Sequence, residues 1–257
     1  MSDRQKMLSI VEESPAAVAV HDKAQWLGLF TADGIVNDPV GSEIHQGPEQ
    51  LSAFYDTFIA PNNVIFHPEH DIVCGNTVMR DLELEIRMTD RVILTVPMHL
   101  RYEVADDEHV SGLFAHWELP TMVAQFGSKG VWALPSSLKL STRLLKNQGL
   151  AGTMGFSRAF KSAGTKGKAQ AAAFLDAVTG SDNAALAQFS AVNVTYGTQQ
   201  LDSADSLLSK LAGWTASKFI AAGKYVTVSL TDGTDHAVAM CTFDGRTLTD
   251  VTVFVEA

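Results

Sequence analysis

The segment that decides the fold of the first half is Ile35-Val36-Asn37-Asp38-Pro39-Val40-Gly41-Ser42-Glu43. It sets one carboxylate among apolar residues, after a helical pattern that ends near Phe30 and before a helix predicted to open at Gly47-Pro48. Pro39 removes a backbone donor and disfavours helical geometry at Asp38, so Asp38 is expected where a short strand meets a turn. Such an aspartate is either a turn residue that accepts local backbone hydrogen bonds or a general base beside an apolar pocket.

Helical patterns precede this corner and long alternating segments follow it. Between Leu8 and Phe30 the apolar spacing is helical, and Ser14-Pro15 is predicted to begin a helix. Alternation then extends to about Leu119 and predicts long strands. The clearest strand spans residues 78–88, where one face carries Arg80, Leu82, Leu84, Ile86 and Met88. Helices followed by a meander of strands predict an α+β domain over residues 1–125, with helices on one face of a curved sheet.

The same order of elements recurs in residues 168–257. Helical patterns and a short strand come first, and alternating strands follow, the last two joined by the turn signal Asp244-Gly245. We therefore predict a tandem duplication with a shorter second copy. In that copy residues 192–197 take the place of the Asp38 segment and contain no carboxylate. The second copy is accordingly expected to be non-catalytic.

A glycine-rich basic segment, residues 126–167, separates the two copies and is predicted to be a linker. Residues 136–146 fit a basic amphipathic helix, which either packs its leucines against a domain or contacts a membrane surface or an anionic ligand. The whole chain carries a formal net charge of −10. This balance argues against a nucleic-acid partner, because phosphate binding needs a basic surface.

The sequence predicts a cytoplasmic protein without an integral membrane segment. No apolar run reaches the length of about 18 residues that a spanning helix needs, and the polar N-terminus does not resemble a secretory signal. Cys74 and Cys241 lie in apolar, strand-like surroundings and are expected to be free buried thiols of a reduced compartment.

Motifs at a characteristic spacing relate the first half to a known family: Leu29-Phe30, the Asn37–Glu43 run, Gly47 and Phe54-Tyr55. With them, residues 8–120 resemble bacterial ketosteroid isomerases, which belong to the nuclear-transport-factor-two-like, SnoaL-like cone fold. The resemblance implies two tandem cone-shaped domains, each a curved, mainly antiparallel sheet wrapped by helices. Members of this fold include isomerases, cyclases, epoxide hydrolases and binding proteins, so the fold alone does not decide the function.

The resemblance also assigns roles to individual residues. Asp38 matches the general base that moves a proton between two carbons flanking an enol. Tyr55 matches a tyrosine that supports the oxyanion hole from behind. The ligand-binding wall is expected to comprise Leu82, Leu84, Ile86, Met88, Met98 and Phe114.

Both usual oxyanion donors are missing from the pattern. The position of the donor tyrosine falls on Ser14, and that of the donor aspartic acid falls on Met98 or His99, depending on one residue of register. Alternation favours Met98 facing inward, together with Leu100, Tyr102 and Val104. Loss of one such donor typically costs about 10²–10³ in rate, so this chain needs replacements to be an efficient isomerase.

Three side chains are candidate replacements. His116 alternates with Phe114 and is either a proton carrier in the pocket or a core histidine. Tyr55 is a candidate donor in its own right. Arg80 either binds an anionic group, pairs with Asp38, or lies at the surface.

The sequence therefore supports two functions. The first is a cofactor-independent isomerase or cyclase for a steroid-like or polyketide-like ligand, with Asp38 as base and His116 or Tyr55 assisting. The second is a non-catalytic protein that binds an apolar ligand, with the second copy acting as an intramolecular partner, as a monomer or a homodimer. A metal site is not expected, because the cluster His67, Glu69, His70 and Asp71 fits no regular ligand spacing. A third function, activation of a water molecule as in epoxide hydrolases, ranks lowest. It would need an arginine and two carboxylates in the pocket, and only Arg80 and Asp38 are available.

Overall fold

Two six-stranded sheets, one in each half of the chain, form the framework of the protein. The computed structural model describes residues 3–105, 109–133, Thr142, Gly155 and 158–256. The first compact unit ends at Phe160, and the second begins at Lys161 and also includes Ile72–Gly75. Each sheet is accompanied by helices from its own half, so the predicted α+β class and tandem repetition are confirmed.

The first unit is a mixed sheet whose central strands are the longest in the protein. Its order is β2-β1-β6-β5-β4-β3, with β1 parallel to β6 and with β4, β5 and β6 antiparallel to one another. A single π-helical turn, Tyr55–Ile59, extends the third helix. The elements are α1 (Asp3–Ala19), α2 (Lys23–Gly28), β1 (Phe30–Asn37), β2 (His45–Gln46), α3 (Gly47–Phe54), β3 (Asn63–Cys74), β4 (Thr77–Thr89), β5 (Val92–Val104), β6 (Val110–His116) and α4 (Leu119–Ser128).

The first helix begins earlier than the sequence predicts. Ser14-Pro15 does not cap α1; the helix starts at Asp3 and continues through Pro15 to Ala19. Interior proline removes one backbone hydrogen bond. This loss is offset because Ile10, Val11 and Val18 are buried, and packing of an apolar face stabilises helices more than propensity does.

The second unit repeats the strand order with shorter strands. Its order is β8-β7-β12-β11-β10-β9, and β7 is parallel to β12 as β1 is to β6. The strands β8 and β9 escape sequence prediction, because β8 is very short and β9 consists largely of small residues. The elements are α5 (Gly164–Thr179), α6 (Asn183–Leu186), β7 (Asn193–Tyr196), β8 (Gln199–Leu201), α7 (Leu208–Leu211), β9 (Thr215–Ala222), β10 (Tyr225–Thr231), β11 (His236–Asp244) and β12 (Thr247–Phe254).

The turn after the parallel strand differs between the two units. In the first unit seven residues, 38–44, separate β1 from β2, and the Val40 amide donates to the Ala115 carbonyl at 2.8 Å. In the second unit only residues 197–198 separate β7 from β8, and the Gly197 amide donates to the Val253 carbonyl at 2.9 Å. The second unit therefore replaces the corner that carries Asp38 by a short turn without a carboxylate. Its lack of catalysis remains a prediction.

The predicted basic helix of residues 136–146 lies outside the described residues, apart from Thr142. Short 3₁₀ turns occupy Gly130–Ala133 and Arg158–Phe160 on either side. Within the described ranges, no helix combines the length and hydrophobicity needed to cross a membrane.

A buried ion pair fixes β3 and α1 to β4. The Arg80 side chain is only 3% exposed; its Nε donates to Asp71 Oδ1 at 2.6 Å and its Nη2 to Glu12 Oε2 at 2.7 Å. A buried guanidinium is stable only while it keeps its carboxylate partners.

Replacing Asp71 by alanine is expected to destabilise the first unit by about 3 kcal/mol, because it removes both hydrogen bonds from one side of a buried charge. Glu12→Gln is the matched control. The Glu12 side chain is 62% exposed and its substitution should cost less than about 1 kcal/mol. Urea unfolding measures the free energy of unfolding of both variants, and hydrogen exchange of the β4 and β5 amides shows where stability is lost. Equal losses in the two variants would contradict the role given to Asp71.

Candidate active site

A hydrogen-bonded corner positions Asp38 directly after β1. Asn37 Nδ2 donates to the Ser42 carbonyl at 3.1 Å, and the corner is tied to β6 through Val40, as described above. The Asp38–Pro39 peptide bond is cis. Because β1 pairs with β6 in parallel register, Asp38 follows on the same face as Leu113 and Ala115. That face borders a cavity.

The cavity has a volume of about 130 Å³ and an almost wholly apolar wall. Strands β4, β5 and β6 form its floor, and α1, α2, the π turn, β3 and α4 supply the remaining wall. Among the described residues that line it, Asp38 is the one carboxylate. The lining residues are Ser14, Val18, Trp26, Asp38, Phe54, Phe58, Ile59, Asn62, Val64, Phe66, Leu84, Ile86, Met88, Val96, Met98, Leu100, Tyr102, Leu113, Ala115, Trp117 and Met122.

Trp117 holds the carboxylate in place. Its Nε1–H donates to Asp38 Oδ1 at 2.6 Å. Burial in the apolar wall raises the pKa of Asp38 from 3.8 to about 6, and the hydrogen bond from Trp117 opposes this rise. Asp38 is therefore ionised at neutral pH yet close enough to neutrality to exchange protons, which suits a general base.

The burial of the lining residues changes along the strands. We call the half-buried end of the cavity the open end and the fully buried end the closed end. Ile86 and Met88 on β4 are half-buried and lie with Asn62 at the open end. Tyr102 on β5 and Ser14 on α1 are buried and lie at the closed end. The polar lining residues are therefore separated: Asn62 lies at the open end, Ser14 and Tyr102 lie at the closed end, and Asp38 lies beside β6.

The first unit is similar in sequence to a known family of domains. Residues 11–111 match the family model described as the SnoaL-like domain. We call the first unit the SnoaL-like unit. No curated protein matches the chain.

Several solved structures are similar to part of this chain. The Δ5-3-ketosteroid isomerase from Mycobacterium sp. is 26% identical, with a TM-score of 0.42, and the match covers 45% of this chain and 95% of that one. A Mycobacterium tuberculosis protein in complex with estradiol-17β-hemisuccinate is 23% identical, with the same TM-score and coverage. The epoxide hydrolase/cyclase-like enzyme SalBIII is 20% identical, with a TM-score of 0.42, covering 47% of this chain and 96% of that one.

Most of the expected wall residues do face the cavity of the SnoaL-like unit. Leu84, Ile86, Met88 and Met98 are among its lining residues. Leu82 lies on the same strand face but is fully buried and is not part of the lining. The alternation of β4 and β5 is regular, so one inward residue determines the others.

His116 and Phe114, in contrast, lie on the opposite face of the sheet, which corrects the expectation that they face the ligand. Cross-strand partners share a face, and His116 pairs with His99, the neighbour of inward-facing Met98. Arg101 stacks on the Phe114 ring at 4.0 Å on that same outer face. Burial and the nearby charges of Arg101 and His99 hold the pKa of His116 well below its ordinary value.

Tyr55 is also separated from the cavity. It is buried beside Trp26, with 5.4 Å between ring centroids, and is absent from the lining. Burial, together with the nearby carboxylates of Asp22 and Asp56, raises its pKa.

Arg80 does not reach Asp38. Its guanidinium is held by Asp71 and Glu12, and it is not a lining residue. The cavity wall therefore offers no arginine to assist water activation among the residues described. Within the same residues, no group of three or more His, Cys, Asp or Glu side chains is arranged to hold a metal ion.

Sequence reasoning missed Trp117 and gave Tyr102 no role. Trp117 follows β6 immediately, and its odd-numbered neighbours Leu113 and Ala115 share its face. The signal for it was the parallel pairing of β1 with β6, which a single sequence does not reveal.

Replacing Trp117 by phenylalanine should raise the pKa of Asp38 above about 6, because the ring is kept while the one hydrogen bond that favours the carboxylate is lost. A carbon-13 NMR titration of the Asp38 carboxyl measures the change. Trp132→Phe is the control, since Trp132 is exposed and stacks with Arg91. An unchanged or lowered pKa in Trp117→Phe would show that the contact does not stabilise the ionised carboxylate.

Proposed function

We propose that the SnoaL-like unit is a cofactor-independent isomerase-type enzyme, in which Asp38 moves a proton between two carbons of an apolar carbonyl compound. The observation that carries the proposal is the single carboxylate with a pKa near 6 facing an apolar cavity. A base of this strength abstracts protons best from carbons that a neighbouring carbonyl acidifies, and it remains ionised at neutral pH.

The proton transfer itself takes place between Asp38 and the substrate. The carboxylate takes a proton from a carbon beside the carbonyl, and the electron pair of the broken C–H bond passes to the carbonyl oxygen as an enolate. The protonated carboxyl then returns the proton to another carbon of the conjugated system. No atom is gained or lost, so the product is an isomer of the substrate.

The surrounding residues support each of these steps. Trp117 keeps the carboxylate oriented and limits the rise of its pKa. The apolar wall limits the access of water to the enolate, so the proton held by Asp38 is the nearest proton source. A steroid-like or polyketide-like substrate fits this wall, since Leu84, Val96 and Met98 offer contacts to hydrocarbon.

A second candidate function is ligand binding without chemistry. It is favoured by the position of His116 on the other face of the sheet, because the described lining residues then include no histidine and no second carboxylate beside Asp38. In that case Asp38 would serve the corner and the polar end of a ligand. The variant Asp38→Asn separates the two functions.

We expect Asp38→Asn to reduce isomerisation of a Δ5-3-ketosteroid to the conjugated enone by about 10²–10⁴, the usual contribution of a positioned acid–base group. In the unsubstituted protein the rate should rise with pH through about 6 and then remain level, because only ionised Asp38 accepts the proton. Ultraviolet absorbance of the enone follows the reaction.

The matched control is Asp33→Asn, since Asp33 is an exposed carboxylate on the same strand. Activity that survives in Asp38→Asn would exclude Asp38 as the base. If the unsubstituted protein does not convert this substrate, deuterium exchange into simpler ketones in D₂O tests the same proton abstraction by Asp38. Exchange that is equal with and without protein would leave ligand binding as the function.

A further inference from the structure

We propose that the Tyr102 hydroxyl, with the Ser14 hydroxyl beside it, forms the hydrogen-bond donor site for an oxygen atom of the cavity ligand. This inference rests on the proposed function, because it concerns the ligand of the same cavity. It assigns the main oxygen-binding role to Tyr102 of β5, which occupies neither of the two usual donor positions, and a supporting role to Ser14 of α1.

The Tyr102 hydroxyl is a buried polar group at the cavity. Tyr102 is 1% exposed and lines the closed end of the cavity. Its contact with Ser14 lacks the geometry of a regular hydrogen bond, and no other partner of regular geometry occurs among the described residues. Buried hydroxyls almost always have a partner, so one that faces a cavity is available to donate to a ligand oxygen.

Ser14 is the polar neighbour of this hydroxyl. Its side chain is buried, lines the same end of the cavity and lies close enough to Tyr102 to lower the phenol's pKa. When a ligand oxygen accepts the Tyr102 proton, the Ser14 hydroxyl can donate to the Tyr102 oxygen. Hydrogen bonds in such a chain strengthen one another.

Burial keeps the Tyr102 hydroxyl protonated. The guanidinium of Arg80 lies near enough to lower the pKa of the phenol, but Asp71 and Glu12 bind it outside the cavity lining. Burial, together with those two carboxylates, outweighs the effect of Arg80, so the pKa of Tyr102 is raised overall. Tyr102 therefore stays protonated at neutral pH and is available as a donor.

The donor and the base are set apart by the sheet. Tyr102 pairs with Leu113, whereas Asp38 lies beside Ala115, so they occupy neighbouring rows on strands that flank β6. Two strand spacings and one row correspond to about 12 Å between the backbone positions. Both side chains point into the same cavity. A ligand that places its carbonyl oxygen near Tyr102 thus has the carbons beside that carbonyl on the side of Asp38.

The test uses the full chain and two probes of similar shape, 2-acetonaphthone, which has a carbonyl oxygen, and 2-ethylnaphthalene, which has none. Fluorescence titration measures both affinities. Tyr102→Phe should weaken binding of the ketone by about tenfold and leave binding of the hydrocarbon unchanged, because the loss of one neutral hydrogen bond is of that size. Ser14→Ala should weaken ketone binding in the same sense but less.

The infrared carbonyl stretch of bound 2-acetonaphthone supplies a readout that a structural role would not move. A hydrogen bond lowers this frequency, so the band should rise in Tyr102→Phe and remain unchanged in Tyr196→Phe, which removes a half-buried hydroxyl from the second unit. Equal affinity losses for both probes, or an unshifted band in Tyr102→Phe, would overturn the proposal. A shift in Tyr55→Phe without one in Tyr102→Phe would overturn it in favour of Tyr55.

Asp38→Asn distinguishes failure of this inference from failure of the proposed function. If Asp38 is not a base, Asp38→Asn has no effect on deuterium exchange, yet the ketone still binds with a lowered carbonyl frequency that depends on Tyr102. If Tyr102 is not the donor, catalysis depends on Asp38 while the frequency is the same with and without the Tyr102 hydroxyl.

Discussion

The hydrogen bond from Trp117 to Asp38, 2.6 Å long in an apolar wall, is the interaction on which the site depends. A carboxylate with a pKa raised from 3.8 to about 6 lowers folding stability. The unfolded chain ionises first, so this cost is absent below about pH 3.8, grows between pH 3.8 and 6, and is constant above. At neutral pH it amounts to at most about 3 kcal/mol, a sizeable fraction of the stability of a domain. The fold must offset it elsewhere.

The offset comes from the corner and the strands around it. Val40 is joined to Ala115, Asn37 closes the turn onto Ser42, and buried apolar residues of α1 cover the sheet. The second unit makes a much shorter turn at the corresponding place, residues 197–198, and has no carboxylate there. The longer corner of the first unit is therefore the element that brings a carboxylate to the cavity.

Much of the fold follows from local pattern, and the site follows from it only in part. The alternation of β4 places Leu84, Ile86 and Met88 on the cavity face, and the proline after Asp38 marks the corner correctly. The face of β6 was assigned wrongly, because both faces of that strand carry large or aromatic residues and only the register with β5 decides between His116 and Trp117. The family resemblance places Tyr55 behind the oxyanion hole, whereas in the structure its ring packs on Trp26 and it does not line the cavity.

The distribution of charge around the cavity explains why one carboxylate can have a pKa near neutrality there. A guanidinium free to approach Asp38 would favour the ionised form and lower its pKa toward or below the ordinary value, leaving a base too weak to abstract protons from carbon. Arg80 lies on the cavity side of the sheet, but two carboxylates hold its guanidinium, and the neighbour it influences is the neutral phenol of Tyr102. Sequestering the cation thus leaves burial as the main influence on Asp38.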